Sequence, residues 1–123
     1  MDREAFAALV EKAVANLPED FRAEMDNVDV TVSDLPTPRQ LRLAKLGRGS
    51  TLLGLYEGVP LSKRGVDYGM FPVLPDRITL FKMNIEAISN DGVTLSSNIR
   101  DTLIHELGHY YGMSEKQIRE AGY

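Results

Sequence analysis

The chain of 123 residues has no cysteine, no tryptophan and just two histidines. Without cysteine, disulfide frameworks, thiol catalysis and every cysteine-ligated zinc site are excluded. The same absence fits a reducing compartment. Basic side chains are in the minority, 14 against 18 acidic ones, for a net charge of -4. That balance argues against nonspecific binding to nucleic acid or to an anionic membrane, both of which need a cationic surface. Long apolar runs are missing as well: no stretch approaches the roughly eighteen residues of a membrane span. The opening MDREAF mixes charges, and AFAALVEKAVANL is broken by Glu11 and Lys12, so no signal peptide is expected and the expected location is the cytoplasm. Any metal chemistry must rest on carboxylates and the two histidines.

With 43% apolar and 26% charged residues the chain reads as an ordinary globular protein. Its length predicts one domain over residues 1–123. Residues 3–16 have the spacing of an amphipathic helix, with Asp2 as cap and Phe6, Leu9, Val10, Ala13, Val14 and Leu17 on one face. Pro18 ends that helix or restarts a turn through Glu19–Met25. Val28, Val30 and Val32 alternate with Asp29 and Thr31, the pattern of a half-buried strand. Arg39, Arg42, Lys45 and Arg48 are expected on a solvated face flanking Leu41, Leu43 and Leu46. Thr51–Tyr56 reads as a strand interrupted by Gly54. Residues 57–76, punctuated by Gly and Pro, read as a long connection. A further strand is expected over Arg77–Met83, then a helical turn Ile85–Ser89 capped by Asn84, and a turn at Asn90–Gly92. From about Ser96 to Tyr111 the pattern is helical, through Ile99, Leu103, Leu107 and Tyr110. Gly112 is placed to end that helix, and Ser114 with Gln117 matches the capping box of a short final helix.

Inside the long C-terminal helix stands His105-Glu106-Leu107-Gly108-His109. Residues four apart on a helix lie one above the other, so two imidazoles can converge on one metal ion. Glu106 follows His105 by about 100° of rotation. Its carboxylate therefore lies beside the metal, where it can act as general base on a metal-activated water. By chance such a motif would arise roughly once in a thousand sequences of this composition. The plainer alternative is a pair of hydrogen-bonded core histidines with an exposed glutamate. A catalytic zinc site usually has a third protein ligand. Gly112 lets the chain reverse, and Glu115 is the best candidate for that ligand; as an alternative, it simply favours the start of the last helix through the helix dipole.

The string HELGHYYGMSE resembles the Asp-zincin pattern HExxHxxGxxD, and the chain resembles a small bacterial family of zincin-like predicted metallopeptidases. The likeness extends to LLGLYEGVPLSKRG (residues 52–65), to LPDRITLF (residues 74–81) and to the helix–GMS–helix ending. It implies an α+β fold: a small mixed sheet packed against an N-terminal helix and a C-terminal HExxH helix, followed by a short final helix. It implies one zinc ion held by His105 and His109, with Glu106 as general base. The third-ligand position falls on Glu115, where the family has Asp. The implied partner is a peptide or protein substrate, added as a strand along residues 78–83. Residues 57–76 would supply a partial wall of the cleft. Tyr56, Tyr68, Tyr110, Tyr111 and Tyr123 are available to stabilise an oxyanion and spacing selects none of them, with Tyr110 and Tyr111 expected to be core or rim residues of the helix. Gly108 is expected to receive a closely packed strand, and Met113 to be a packing residue. The leading expectation is a zinc-dependent metallopeptidase. The alternatives are a metal-binding or recognition module without peptidase activity and, more distantly, a structural domain with core histidines.

Overall fold

A computed structural model describes residues 1–23, 25–44, 51–59 and 76–122. The first helix, α1 (Arg3–Ala15), starts where Asp2 accepts the Ala5 N–H, and Asn16 closes its other end. Phe6 and Val10 are fully turned inward, and Leu9, Ala13 and Val14 pack against the same core. A one-turn helix α2 (Glu19–Arg22) and a 3-10 turn at Met25–Asn27 lead into β1 (Val28–Ser33). The helical turn is thus shorter than the expected Glu19–Met25.

Thr37 and Gln40 form a reciprocal capping box, with Pro38 in the first turn, and start α3 (Pro38–Leu43). Of the expected basic face, Arg39 ion-pairs with Glu57 at 3.2 Å. Lys45, Leu46 and Arg48 lie outside the described residues. Next come β2 (Gly54–Glu57) and β3 (Asp76–Phe81). The strand order is β1-β3-β2, with β1 parallel and β2 antiparallel to the central β3. The mixed sheet and the α+β class are as the sequence implies.

The chain turns from strand to helix earlier than expected after β3. Phe81 caps α4 (Lys82–Ala87), so Met83 lies on a helix and is half exposed rather than on a strand face. Asn84 is likewise inside α4, and its amide donates to the Leu52 carbonyl at 2.9 Å. The long helix α5 (Gly92–Tyr110) also begins before its expected start at Ser96. Asp91 and Thr94 form a capping box, so the turn chemistry of Asn90–Gly92 serves as a helix start. The last helix, α6 (Glu115–Glu120), has the expected Ser114–Gln117 box.

One face of the sheet, with Val28, Ile78 and Leu80, packs with α1 and α5 around Phe6, Val10, Ile99, Leu103, Ile104, Leu107 and Tyr110. Burying each large aliphatic side chain contributes roughly 1.5–3 kcal/mol. This packing clamps α5 along its length and makes it a rigid platform for His105 and His109. Among the described residues no helix is long and apolar enough to cross a membrane.

Candidate metal centre

His105 and His109 leave α5 one turn apart, with ring centroids 4.9 Å from each other. The helix then stops in a Schellman motif. The Gly112 N–H bonds to the His109 carbonyl and the Met113 N–H to the Gly108 carbonyl, with Gly112 at φ 82°. The chain therefore reverses, and Ser114 caps a helix whose first residue is Glu115. The reversal brings Glu115 Oε1 to 2.7 Å from His105 Nε2 and 3.2 Å from His109 Nε2. One ligand atom from each of the three residues lies within 4.8 Å of the other two.

What holds α6 in place is packing at Gly108. A methyl group at that position would lie 2.6 Å from Ile118 Cδ1 and 2.7 Å from Ile118 Cγ1, and Ile118 is buried. The close neighbour is therefore the final helix and not the expected strand. Gly108→Ala should force α6 away from α5. Overpacking costs about 1–3 kcal/mol, against about 1 kcal/mol of improved helix propensity. The expected outcome is a modest net loss of stability in denaturant titration and a weaker zinc affinity, because Glu115 moves with α6.

Glu106 points elsewhere. Its side chain is 9% exposed, and Oε1 accepts the Tyr56 N–H at 2.9 Å and lies 3.4 Å from His109 Nδ1. His109 thus has a carboxylate at each ring nitrogen. Its pKa is raised, first by the hydrogen bond to Glu106, then by the charge of that group and the bond and charge of Glu115; burial opposes them. The Glu115 carboxyl is pushed upward by desolvation, but hydrogen bonds and charge from His105 and His109 outweigh this and lower its pKa.

These two shifts define a pH dependence for the metal-free protein. A raised histidine pKa favours the folded state below the unfolded value near 6.5, and that contribution is lost as pH rises through the folded value. A lowered carboxyl pKa favours the folded state above the unfolded value near 4.5, and is lost as pH falls through the folded value. Metal-free protein should therefore melt highest between these limits, in scans of melting temperature from pH 3 to 9. Zinc needs a neutral imidazole, so zinc affinity should rise with pH across the range where His109 titrates.

The donor set suits zinc. Two imidazoles and a carboxylate are common zinc ligands, and a tetrahedral shell with bonds of about 2.1 Å separates its ligands by roughly 3.3 Å. Against that spacing, the 3.2 Å separation from Glu115 to His109 already fits, and the 2.7 Å separation to His105 needs about 0.6 Å of opening.

The sequence profile of the zincin-like metallopeptidase family matches residues 25–123, which include α5, α6 and the whole sheet. The chain belongs to this family. Among solved structures it is similar to a conserved hypothetical protein from Thermus thermophilus, at 26% identity and a TM-score of 0.57, over 98% of each chain. A search of curated proteins returns no match. The family implies a metal ion, and His105, His109 and Glu115 form a group that could hold one.

One expectation of this zincin-like site needs correction. Residues 78–83 do not form an edge along which a peptide can add. Residues 78–81 belong to β3, which pairs with β1 on one side and β2 on the other, and 82–83 are helical. Among the described residues the strand that meets α5 at Glu106 is β2. The tyrosines also sort out. The Tyr56 hydroxyl donates to Asp76 at 2.8 Å, and Tyr110 is wholly buried in the core. Tyr68 and Tyr123 lie outside the described residues, as do residues 60–75 of the expected cleft wall. Sequence reasoning did not single out Tyr56 for its backbone N–H or Gly54 for its contact with Glu106. Glycine within a strand pattern was the available signal, since it marks close approach.

Proposed function

We propose that residues 1–123 form one zincin-like domain that hydrolyses peptide bonds with a single zinc ion. His105, His109 and Glu115 would hold the ion, and Glu106 would be the general base. The observation that carries this reading is the convergence of His105 Nε2, His109 Nε2 and Glu115 Oε1 on one point at the α5–α6 reversal. When bound, zinc would supply Lewis acidity, lowering the pKa of a water molecule and polarising the scissile carbonyl.

The chain's own residues would do the rest. Glu106, held by the Tyr56 N–H, would accept the proton lost by the attacking water and return it to the leaving amine. A peptide would lie extended along β2, whose outer side has no partner strand among the described residues, bound by backbone groups other than the Tyr56 N–H that Glu106 already holds. Leu53, whose carbonyl accepts the Phe81 N–H, faces β3. By the alternation of an antiparallel ladder, Gly54 and Tyr56 then turn their backbone groups to the outer side, toward α5.

A second reading, metal binding or recognition without hydrolysis, draws on the near burial of Glu106 and on Glu115 standing where the Asp-zincin pattern that the motif resembles has Asp. The test is elemental analysis of protein reconstituted with zinc, paired with a fluorogenic peptide library, for wild type and His105→Ala. Stoichiometric zinc and turnover in the wild type alone support hydrolysis. Zinc without turnover supports the second reading with a bound metal, and absence of zinc from reconstituted wild type refutes hydrolysis and leaves recognition without metal.

A further inference from the structure

The Glu106 carboxylate sits where β2 meets α5, and the contact is unusually close. A methyl group on Gly54 would lie 2.7 Å from Thr102 Cγ2 and 3.3 Å from Glu106 Cγ. Thr102 cannot move aside easily, because its side chain is β-branched and its hydroxyl donates to the Asn98 carbonyl at 2.7 Å. Glycine at 54 is thus what lets β2 lie against this turn of α5. Two residues further on, the Tyr56 N–H reaches Glu106 Oε1 at 2.9 Å. The same oxygen is 3.4 Å from His109 Nδ1, on the side of the ring opposite to Nε2, which faces Glu115.

We propose that Glu106 is a positioning residue for His109, apart from any proton it accepts: its Oε1, anchored by the Tyr56 N–H across the gap that Gly54 leaves, holds the ring with hydrogen on Nδ1 and presents Nε2 to the metal. The physical basis is the general one for histidine ligands, whose second nitrogen is fixed by a hydrogen-bond acceptor that sets both tautomer and ring orientation. Here that acceptor comes from the helix's own preceding turn and is itself held by a strand. Gly54 and the Tyr56 N–H therefore act on the metal centre without touching it. This inference rests on the reading of His105, His109 and Glu115 as zinc ligands.

Glu106→Gln and Glu106→Ala separate positioning from proton transfer. Glutamine keeps an oxygen that can accept from Tyr56 and His109, whereas alanine has none. Zinc affinity, measured by competition with a chromophoric chelator, should be near wild type in Glu106→Gln and lower by about tenfold to a hundredfold in Glu106→Ala. Gly54→Ala should weaken zinc similarly. Adding Thr102→Ser, which removes the clashing methyl and keeps the hydroxyl bond, should recover most of that loss and shows that the single variant was displaced rather than unfolded.

A second measurement needs no zinc. In long-range ¹H–¹⁵N spectra of metal-free protein, the His109 ring nitrogens should shift in Glu106→Ala and Gly54→Ala, more than those of His105. Equal zinc affinities in the glutamine and alanine variants, or an unmoved His109 ring in both displaced variants, would overturn the inference. If wild type binds no zinc, the metal-centre reading fails, and the ring spectra still decide whether Glu106 positions His109.

Discussion

Turnover of a peptide substrate is expected to fall by about 10²–10⁴-fold in Glu106→Gln, with zinc still bound. General base catalysis contributes a factor of that order. Glutamine matches glutamate in size and retains an oxygen for the Tyr56 N–H, which lies 2.9 Å from the native carboxylate. The substitution therefore removes a proton acceptor while leaving the packing of α5 against β2 in place. The side chain is 9% exposed, so few waters compete for the carboxylate, and a neutral amide there leaves no buried charge unpaired. The decisive measurement is kcat/KM of zinc-loaded protein on the best substrate of a peptide library. A variant retaining more than about a tenth of wild-type kcat/KM would take the proton-transfer role away from Glu106.

The second large effect concerns stability. Zinc at about a thousand times its Kd should stabilise the folded chain by about 4 kcal/mol, since it binds the native arrangement and not the unfolded one. For a chain of this length that corresponds to a rise in melting temperature on the order of 15 °C. The effect should be large here because the three ligand residues come from both sides of the α5–α6 reversal, so the ion would staple α6 to α5. In His105→Ala and His109→Ala the rise should be nearly abolished. Glu115→Gln should keep a smaller rise, since two imidazoles remain, and chelator should reverse the wild-type effect completely. Differential scanning calorimetry with and without zinc measures all of these. A wild-type shift under about 2 °C at saturating zinc would mean that the three side chains do not act together as a centre.

Much of this was open to reading in one dimension where the information is local. The helix bearing HELGH, its stop at Gly112 and the capping box at Ser114 each depend on residues within a few positions of one another, and each forms as expected. Asp2 and the alternation of Val28, Val30 and Val32 belong to the same class. Where a local signal had two meanings, sequence reasoning chose the other one. Asn90-Asp91-Gly92 suits a turn and a helix start equally well, and α5 grows from it because Leu95 gains a buried place in the core. Met83 alternates correctly for a strand, but the Met83 N–H bonds to the Asp34 carbonyl at 3.1 Å and the chain has already turned into α4.

The sequence by itself determined the chemistry on offer. With no cysteine and both histidines inside one motif, any metal centre had to be built from that helix turn and a carboxylate. Spacing along one helix also determined that the two imidazoles share a face. Only the tertiary structure decided the rest. It brought Glu115 against both histidines, which required α6 to dock in the space that Gly108 leaves for Ile118. It made β3 the central strand with β1 and β2 on its two sides, which no period-two pattern can tell, because side-chain alternation reports a strand's faces and not its neighbours. And it set the Tyr56 N–H on Glu106, fifty positions away, through a contact that exists because Gly54 has no side chain.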